Sequence, residues 1–116
     1  MYVEAAVLPV KRARKADYAA LAQMMADKFR AAGALSVHEY WADEMEAGET
    51  TSFPRAVQVK DDEAIVLAIN TWPDKAARDA AMGAIMSDAD LAPHFADAPM
   101  DMARMFFGAF EPLLDA

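Results

Sequence analysis

The hydrophobic pattern of this chain predicts an α+β fold with the element order βαββαβ. Four short apolar stretches alternate between faces as β-strands do, and two longer stretches repeat at helical spacing. The 116 residues, 56% of them hydrophobic, suffice for one core without disulfides, and the chain has no cysteine. We therefore expect a single domain over residues 1–116.

The first strand and the first helix have the clearest patterns. A strand rich in Val and Leu is predicted for residues 2–10, and a helix follows over residues 15–32. Gly33 stands where a glycine ends many helices. The apolar stripe of this helix recurs at steps of three and four residues and comprises Tyr18, Leu21, Ala22, Met25 and Phe29. Lys15 and Gln23 lie away from it.

The second strand is predicted for residues 34–42 and carries different residues on its two faces. One face has Leu35, Val37, Glu39 and Trp41, and the other has Ser36, His38 and Tyr40. An acidic loop over residues 43–51 follows. Ser52 and Pro54 then suit either the first turn of a short helix or a short extended segment.

The second half of the chain repeats the strand–helix–strand pattern. A third strand is predicted for residues 64–71, Asp74 is a candidate cap for a helix that runs to Met86, and residues 87–102 form an irregular connection. The last strand is predicted for residues 103–110. The inner side of the helix is predicted to consist of Ala77, Ala81, Ala84 and Ile85. This order is that of a ferredoxin-like fold, a four-stranded antiparallel sheet with both helices on one face.

The last strand is apolar on both faces, which predicts a homodimer. Phe106 and Phe110 point to one side, whereas Met105 and Phe107 point to the other. The run over residues 64–69 is equally apolar. Because two helices cover about one face of a sheet, we expect a second copy of the chain to cover the other face.

The charge of the chain disfavours nucleic acid and membranes as partners. Eleven basic and 19 acidic residues give a net charge of −8, which repels phosphate backbones and acidic lipids. The early Glu4 and the absence of cysteine lead us to expect a cytoplasmic protein. One basic cluster precedes the first helix and is interpreted as a solvated surface rather than an anion site; it comprises Lys11, Arg12, Arg14 and Lys15.

Glu39 is the carboxylate with the most chemical interest, because it lies on an otherwise apolar strand face between Val37 and Trp41. A buried carboxylate either pairs with a cation or has its pKa raised by desolvation. We expect Arg55 or Arg104 as the partner, and a structural ion pair is favoured over ligand binding and over catalysis.

No metal or other cofactor is expected. His38 and His94 are the two histidines, and neither has the spacing of a zinc motif. His38 is expected to face the interior of a barrel or the dimer interface. No catalytic residue is assigned, and aromatic residues such as Tyr40 are interpreted first as core. The candidate ligand-binding residues are Tyr18, His38, Glu39, Trp41, Trp72 and Arg104.

Short motifs along the whole chain resemble the bacterial YbaA-like family of unknown function. They include Glu39-Tyr40-Trp41, Trp72-Pro73-Asp74-Lys75 and, most specifically, the C-terminal Gly-Ala-Phe-Glu-Pro-Leu-Leu-Asp of residues 108–115. The resemblance implies membership of the dimeric α/β-barrel superfamily, in which two ferredoxin-like sheets face each other. It implies no particular reaction.

Two functional hypotheses follow. The first is a protein that binds a small apolar or aromatic molecule in the cavity between helices and sheet. The alternative is a cofactor-independent oxygenase or isomerase, since other branches of that superfamily perform such chemistry. A cavity into which Glu39 or His38 points would favour the enzyme.

Overall fold

The computed structural model describes all residues from 1 to 116 and contains four strands and three helices. They are, in chain order, β1 (Tyr2–Lys11), α1 (Lys15–Ala31), β2 (Ser36–Trp41), α2 (Phe53–Ala56), β3 (Glu63–Trp72), α3 (Lys75–Met86) and β4 (Phe106–Phe110). Short 3₁₀ turns lie at Arg12–Arg14, Ala92–Phe95 and Met102–Arg104.

The four strands form one sheet in the order β2-β3-β1-β4, and every neighbouring pair is antiparallel. Val7 of β1 lies opposite Leu67 of β3 on one side and Phe106 of β4 on the other. This order leaves β2 and β4 as the edge strands. The ferredoxin-like α+β class predicted from the sequence is confirmed.

Three helix boundaries carry the signals identified in the sequence, namely Gly33 after α1, Ser52 before α2 and Asp74 before α3. Gly33 has a φ of 114°, which a glycine adopts without the strain that a side chain would cause. The Asp74 side chain accepts a hydrogen bond from the Ala77 N–H at 2.8 Å and caps α3. The Ser52 side chain caps α2 in the same way, so the segment is a short helix and not an extended piece. None of the helices is both long and apolar enough to cross a membrane.

The core on the helix side of the sheet lies in two clusters. One contains Leu8, Val10, Tyr18 and Val66, and the other contains Trp72, Ala34 and Ala81 with Phe29 against them. The prediction for Ala84 was wrong, because this residue is exposed. The inner stripe of α3 is centred on Ala81 and turned toward the half-buried Arg78 and Met82.

Strand β4 is shorter than predicted, because residues 103–105 precede it. The Asp101 side chain accepts the Ala103 N–H at 2.9 Å and stabilises a 3₁₀ turn that includes Arg104. The predicted facing of the phenylalanines is confirmed. Phe106 lies on the face without helices, and Phe107 lies on the helix side, where it remains 75% exposed because the helices do not reach this sheet edge.

The helix-free face is partly covered by the chain itself. The segment over residues 43–62, which includes α2, places Val57 against Val7 and Ile65 and buries all three. Large side chains elsewhere on this side of the molecule stay exposed, namely Tyr40, Phe53, Phe106 and Phe110. The chain itself therefore buries part of the face that the sequence analysis assigned to a second copy.

Candidate functional site

A groove of about 290 Å³ runs between α1 and the edge strand β2. The helix side of the groove is formed mainly by the small side chains of Ala19, Ala22 and Ala26. Alanine at these positions leaves space that larger side chains would fill. The strand side and floor are formed by Val37, Glu39, Tyr40, Trp41 and Val66, and Lys15, Tyr18 and Gln23 complete the lining.

A hydrogen bond across this groove joins Tyr18 to Glu39. Tyr18 is buried on α1, and its hydroxyl donates to Oε1 of Glu39 on β2. Glu39 lies opposite Ala68 of β3, whose small side chain leaves room for it. The partner of this carboxylate is thus a neutral phenol rather than the predicted arginine.

The surroundings shift the pKa values of both groups upward. Loss of hydration in the groove raises the pKa of Glu39, and the hydrogen bond from Tyr18 offsets part of this rise. Burial raises the pKa of Tyr18 first, and the nearby Glu39 raises it further, so the phenol stays protonated. Glu39 as a residue is nevertheless exposed at the groove, so solvent and solutes reach it.

Lys15 lies at the same groove and contacts an aromatic ring. Its Nζ atom is 4.7 Å from the centre of the Trp41 ring, a cation–π contact. Its placement away from the apolar stripe of α1 was a poor guide, because Lys15 precedes Tyr18 by three residues and so lies one turn away on the same side of the helix. This three-residue spacing from Tyr18 was the sequence signal for a position of Lys15 at the groove.

The structure places Trp72 in the core, away from the groove. Its side chain is 0% exposed, and its indole N–H donates to Oε1 of Glu4 at 2.7 Å. The Arg78 guanidinium donates to the other oxygen of Glu4 at 3.2 Å. Phe29 packs edge-on against Trp72. These contacts satisfy the polar atoms of this cluster.

Arg104 binds Glu63 and not Glu39, which corrects the predicted pairing. Its two Nη atoms donate to the two Glu63 carboxylate oxygens at 2.5 and 2.7 Å, and its Nε atom donates to Asp101 at 2.8 Å. Glu63 is only 4% exposed, and Arg104 holds its pKa below the ordinary value. Arg55 donates to the carbonyls of Ala47 and Gly48. Neither arginine contributes to the groove.

His38 lies on the opposite face of β2 from Glu39. Its ring is exposed and stacks on Tyr40 with 6.1 Å between the ring centres. Of the six predicted ligand-binding residues, the structure therefore brings Tyr18, Glu39 and Trp41 together and leaves the other three elsewhere.

The basic residues before α1 do not form a single patch. Lys11 pairs with Asp62 at 2.9 Å, the Arg12 guanidinium donates to the Glu63 carbonyl at 2.6 Å, and Arg14 pairs with Asp17 at 3.0 Å. Lys15 alone of the four faces the groove. No group of three or more His, Asp or Glu side chains is arranged to hold a metal ion.

Comparison with known proteins places the chain in a family. Residues 1–102 match the family described as "Protein of unknown function (DUF1428)". The chain belongs to this family. It is also 34% identical over 114 residues to the uncharacterized protein YbaA of Escherichia coli K12, and the alignment covers 98% of this chain and 97% of YbaA. The YbaA of Shigella flexneri matches equally well.

A solved structure supports the fold assignment. The de novo designed protein Foldit4 superimposes on this member of the DUF1428 family with a TM-score of 0.51. The superposition covers 96% of this chain and 97% of the Foldit4 chain. The two sequences are 11% identical. This likeness concerns the arrangement of the backbone alone.

Proposed function

We propose that this protein binds a small apolar or aromatic molecule in the groove between α1 and β2. The observation that carries the proposal is the Tyr18–Glu39 pair, which lies in an otherwise largely apolar groove that solvent reaches. A pair that served stability alone would gain most where neighbouring side chains excluded water from it. Here the alanines of α1 leave space beside it.

The size and chemistry of the groove suit a compact ligand. Its volume of about 290 Å³ lies just below the ~300 Å³ at which typical ligand pockets begin. Trp41 supplies a flat apolar surface, and few polar groups line the rest. A molecule built on one ring, or of similar bulk, fits these properties.

Filling the groove tests the proposal. Ala19→Leu adds bulk to the wall, whereas Ala20→Leu adds the same bulk to the neighbouring exposed residue, which does not line the groove. We expect single-ring aromatic acids and amines to show ligand-observed NMR saturation transfer with the parent protein and with Ala20→Leu, and to lose it with Ala19→Leu. Signals that persist in Ala19→Leu would contradict the proposal.

The second candidate function is proton transfer by Glu39. It corresponds to the isomerase that the sequence analysis gave as part of the alternative hypothesis. An exposed carboxylate with a raised pKa at a largely apolar groove suits a general base at neutral pH. It would remove a proton from a carbon next to a carbonyl. We expect the protein to speed deuterium incorporation from D₂O into arylated α-keto acids and Glu39→Gln to abolish this effect. Equal rates for the two proteins would count against the enzyme.

We further propose that the protein is a homodimer of the dimeric α/β-barrel type, joined through the helix-free face. Phe106 and Phe110 lie exposed on the β4 side of this face, and Tyr40 lies exposed on its β2 side. A second hollow of about 360 Å³ lies between the end of β2 and the segment that leads to α2. Apolar surface spread across a sheet face in this way is typical of association surfaces.

A further inference from the structure

We infer that the occupant of the α1–β2 groove is an α-amino or α-hydroxy acid with a compact aromatic side chain. This inference rests on the proposed binding function and adds the chemical class of the ligand. It is based on two oppositely charged groups that share the groove and are not paired with each other.

Lys15 supplies the positive charge. It forms none of the ion pairs found in the protein, and its one specific contact is with the face of Trp41. The three basic residues just before it all bind carboxylates or carbonyls of the chain. The Lys15 ammonium thus retains its capacity to bind an anion, and a carboxylate is the anion that suits a groove with an apolar wall.

Glu39 supplies the complementary group. Oε1 accepts the hydrogen bond from Tyr18, and Oε2 accepts none from the protein. A ligand that enters the groove removes water from this carboxylate, and the loss costs free energy unless the ligand donates a hydrogen bond in return. An ammonium or hydroxyl group on the ligand meets this requirement.

The positions of Lys15 and Glu39 indicate roughly how far apart the two polar ends of the ligand lie, because Lys15 contacts Trp41, which is two residues from Glu39 on the same face of β2. Lys15 and Tyr18 are one turn apart on α1, which is about 5 Å along the helix. Glu39 and Trp41 are two residues apart on β2, which is about 6.6 Å along the strand. A carboxylate and a donor on the same carbon bridge such a distance with one hydrogen bond at each end. The remaining apolar volume along the alanines takes the aromatic ring.

Calorimetric titration with four probes tests the inference on the full chain at pH 7. The probes are phenylalanine, 3-phenyllactate, 3-phenylpropanoate, which lacks the donor, and phenethylamine, which lacks the carboxylate. We expect one or both of the first two to bind at least about tenfold more tightly than either single-headed probe. Equal binding of all four would overturn the inference while the proposed function stood.

Substitutions of Lys15 and Glu39 test which protein group binds each polar end of the ligand. Lys15→Met is expected to reduce binding of the double-headed probes to the level of phenethylamine, and Lys15→Arg to restore it. Glu39→Gln is expected to reduce it to the level of 3-phenylpropanoate. If phenylalanine and 3-phenyllactate still bind more tightly than the two single-headed probes in both Lys15→Met and Glu39→Gln, the inference is overturned. If none of the four probes binds above the level seen with Ala19→Leu, both the inference and the proposed function fail.

Discussion

Two glutamates of this protein have pKa values shifted in opposite directions by their surroundings. Glu39 is bound to a neutral phenol beside the groove, and the loss of hydration raises its pKa. Glu63 is buried and held by both Nη atoms of Arg104, which lowers its pKa. The same residue type thus serves an exposed candidate site in one place and the connection between β3 and the turn before β4 in another.

Glu39→Gln and Glu63→Gln are expected to change stability with opposite dependence on pH. The raised pKa of Glu39 contributes stability below the unfolded-state pKa, near 4.3, that is lost as pH rises through the folded-state value. Glu39→Gln should therefore equal or exceed the parent protein in stability at pH 7 to 8, and this advantage should vanish toward pH 4. Urea unfolding measured from pH 4 to pH 8 gives the comparison.

For Glu63 the sign reverses. Its lowered pKa contributes stability above the unfolded-state value that is lost as pH falls through the folded-state value. Glu63→Gln removes the buried carboxylate that binds both Nη atoms of Arg104 and leaves the more exposed Asp101 as its charged partner, so it should cost about 2 kcal/mol at pH 7, with a smaller difference at lower pH. If the difference in unfolding free energy from the parent protein does not change with pH in either variant, the proposed directions of the two pKa shifts are contradicted.

At the scale of elements, the N-termini of α2 and α3 are each capped by a single side chain. The Asp74 carboxylate accepts the Ala77 N–H and also carries negative charge at the N-terminus of α3, where the helix dipole favours it. Pro73 and Asp74 separate this helix from β3. The boundary between β3 and α3 is therefore determined by residues that are adjacent to it in the sequence.

Asp74→Ala is expected to lower the free energy of unfolding by about 1 kcal/mol, because it removes the cap from α3. Asp74→Asn keeps an oxygen acceptor at this position and loses only the charge, so it should cost clearly less. Thermal and urea unfolding of the three proteins measure the difference. Equal losses in the two variants would indicate that charge rather than the hydrogen bond stabilises the start of the helix.

Local pattern was sufficient for most elements but not for the pairings between them. The apolar spacing in α1 and the alternation in β2 correctly placed Tyr18, Glu39 and Trp41 on inward faces. The partner of Glu39 depends on how α1 lies across β2, and the partner of Arg104 is 41 residues away in sequence. The spacing of residues along the chain does not indicate which side chains of different elements pair with each other. Lys15 is a different case, because its three-residue spacing from Tyr18 already indicates a position on the same side of α1.

At the scale of the whole molecule, the sheet presents two different surfaces. Helices α1 and α3 lie on one side, and the segment over residues 43–62 covers only one end of the other side. Phe107 and Phe110 are both exposed on β4, but they lie on opposite faces of the sheet. This strand therefore offers a matched pair of positions for a test of association.

Phe110→Glu is expected to convert the proposed dimer into a monomer, because it places a charge on the helix-free face. Phe107→Glu should leave the dimer intact, although its side chain is 75% exposed against 57% for Phe110. Sedimentation velocity at micromolar concentration distinguishes the two. A parent protein that sediments as a monomer, or equal effects of the two substitutions, would refute the proposed interface.

Strand β2 has six residues, and alternate positions of it belong to different surfaces. The side chains of Glu39 and Trp41 point to the groove, whereas those of His38 and Tyr40 point to the helix-free face, where the interface is proposed, although Tyr40 also borders the groove. A ligand in the groove and a second copy at the proposed interface would therefore contact the same strand from opposite sides. By thermodynamic linkage, a ligand that tightens self-association by some factor must itself bind the associated form more tightly by an equivalent factor. A rise in ligand concentration and a rise in protein concentration would then both favour the same ligand-bound dimer.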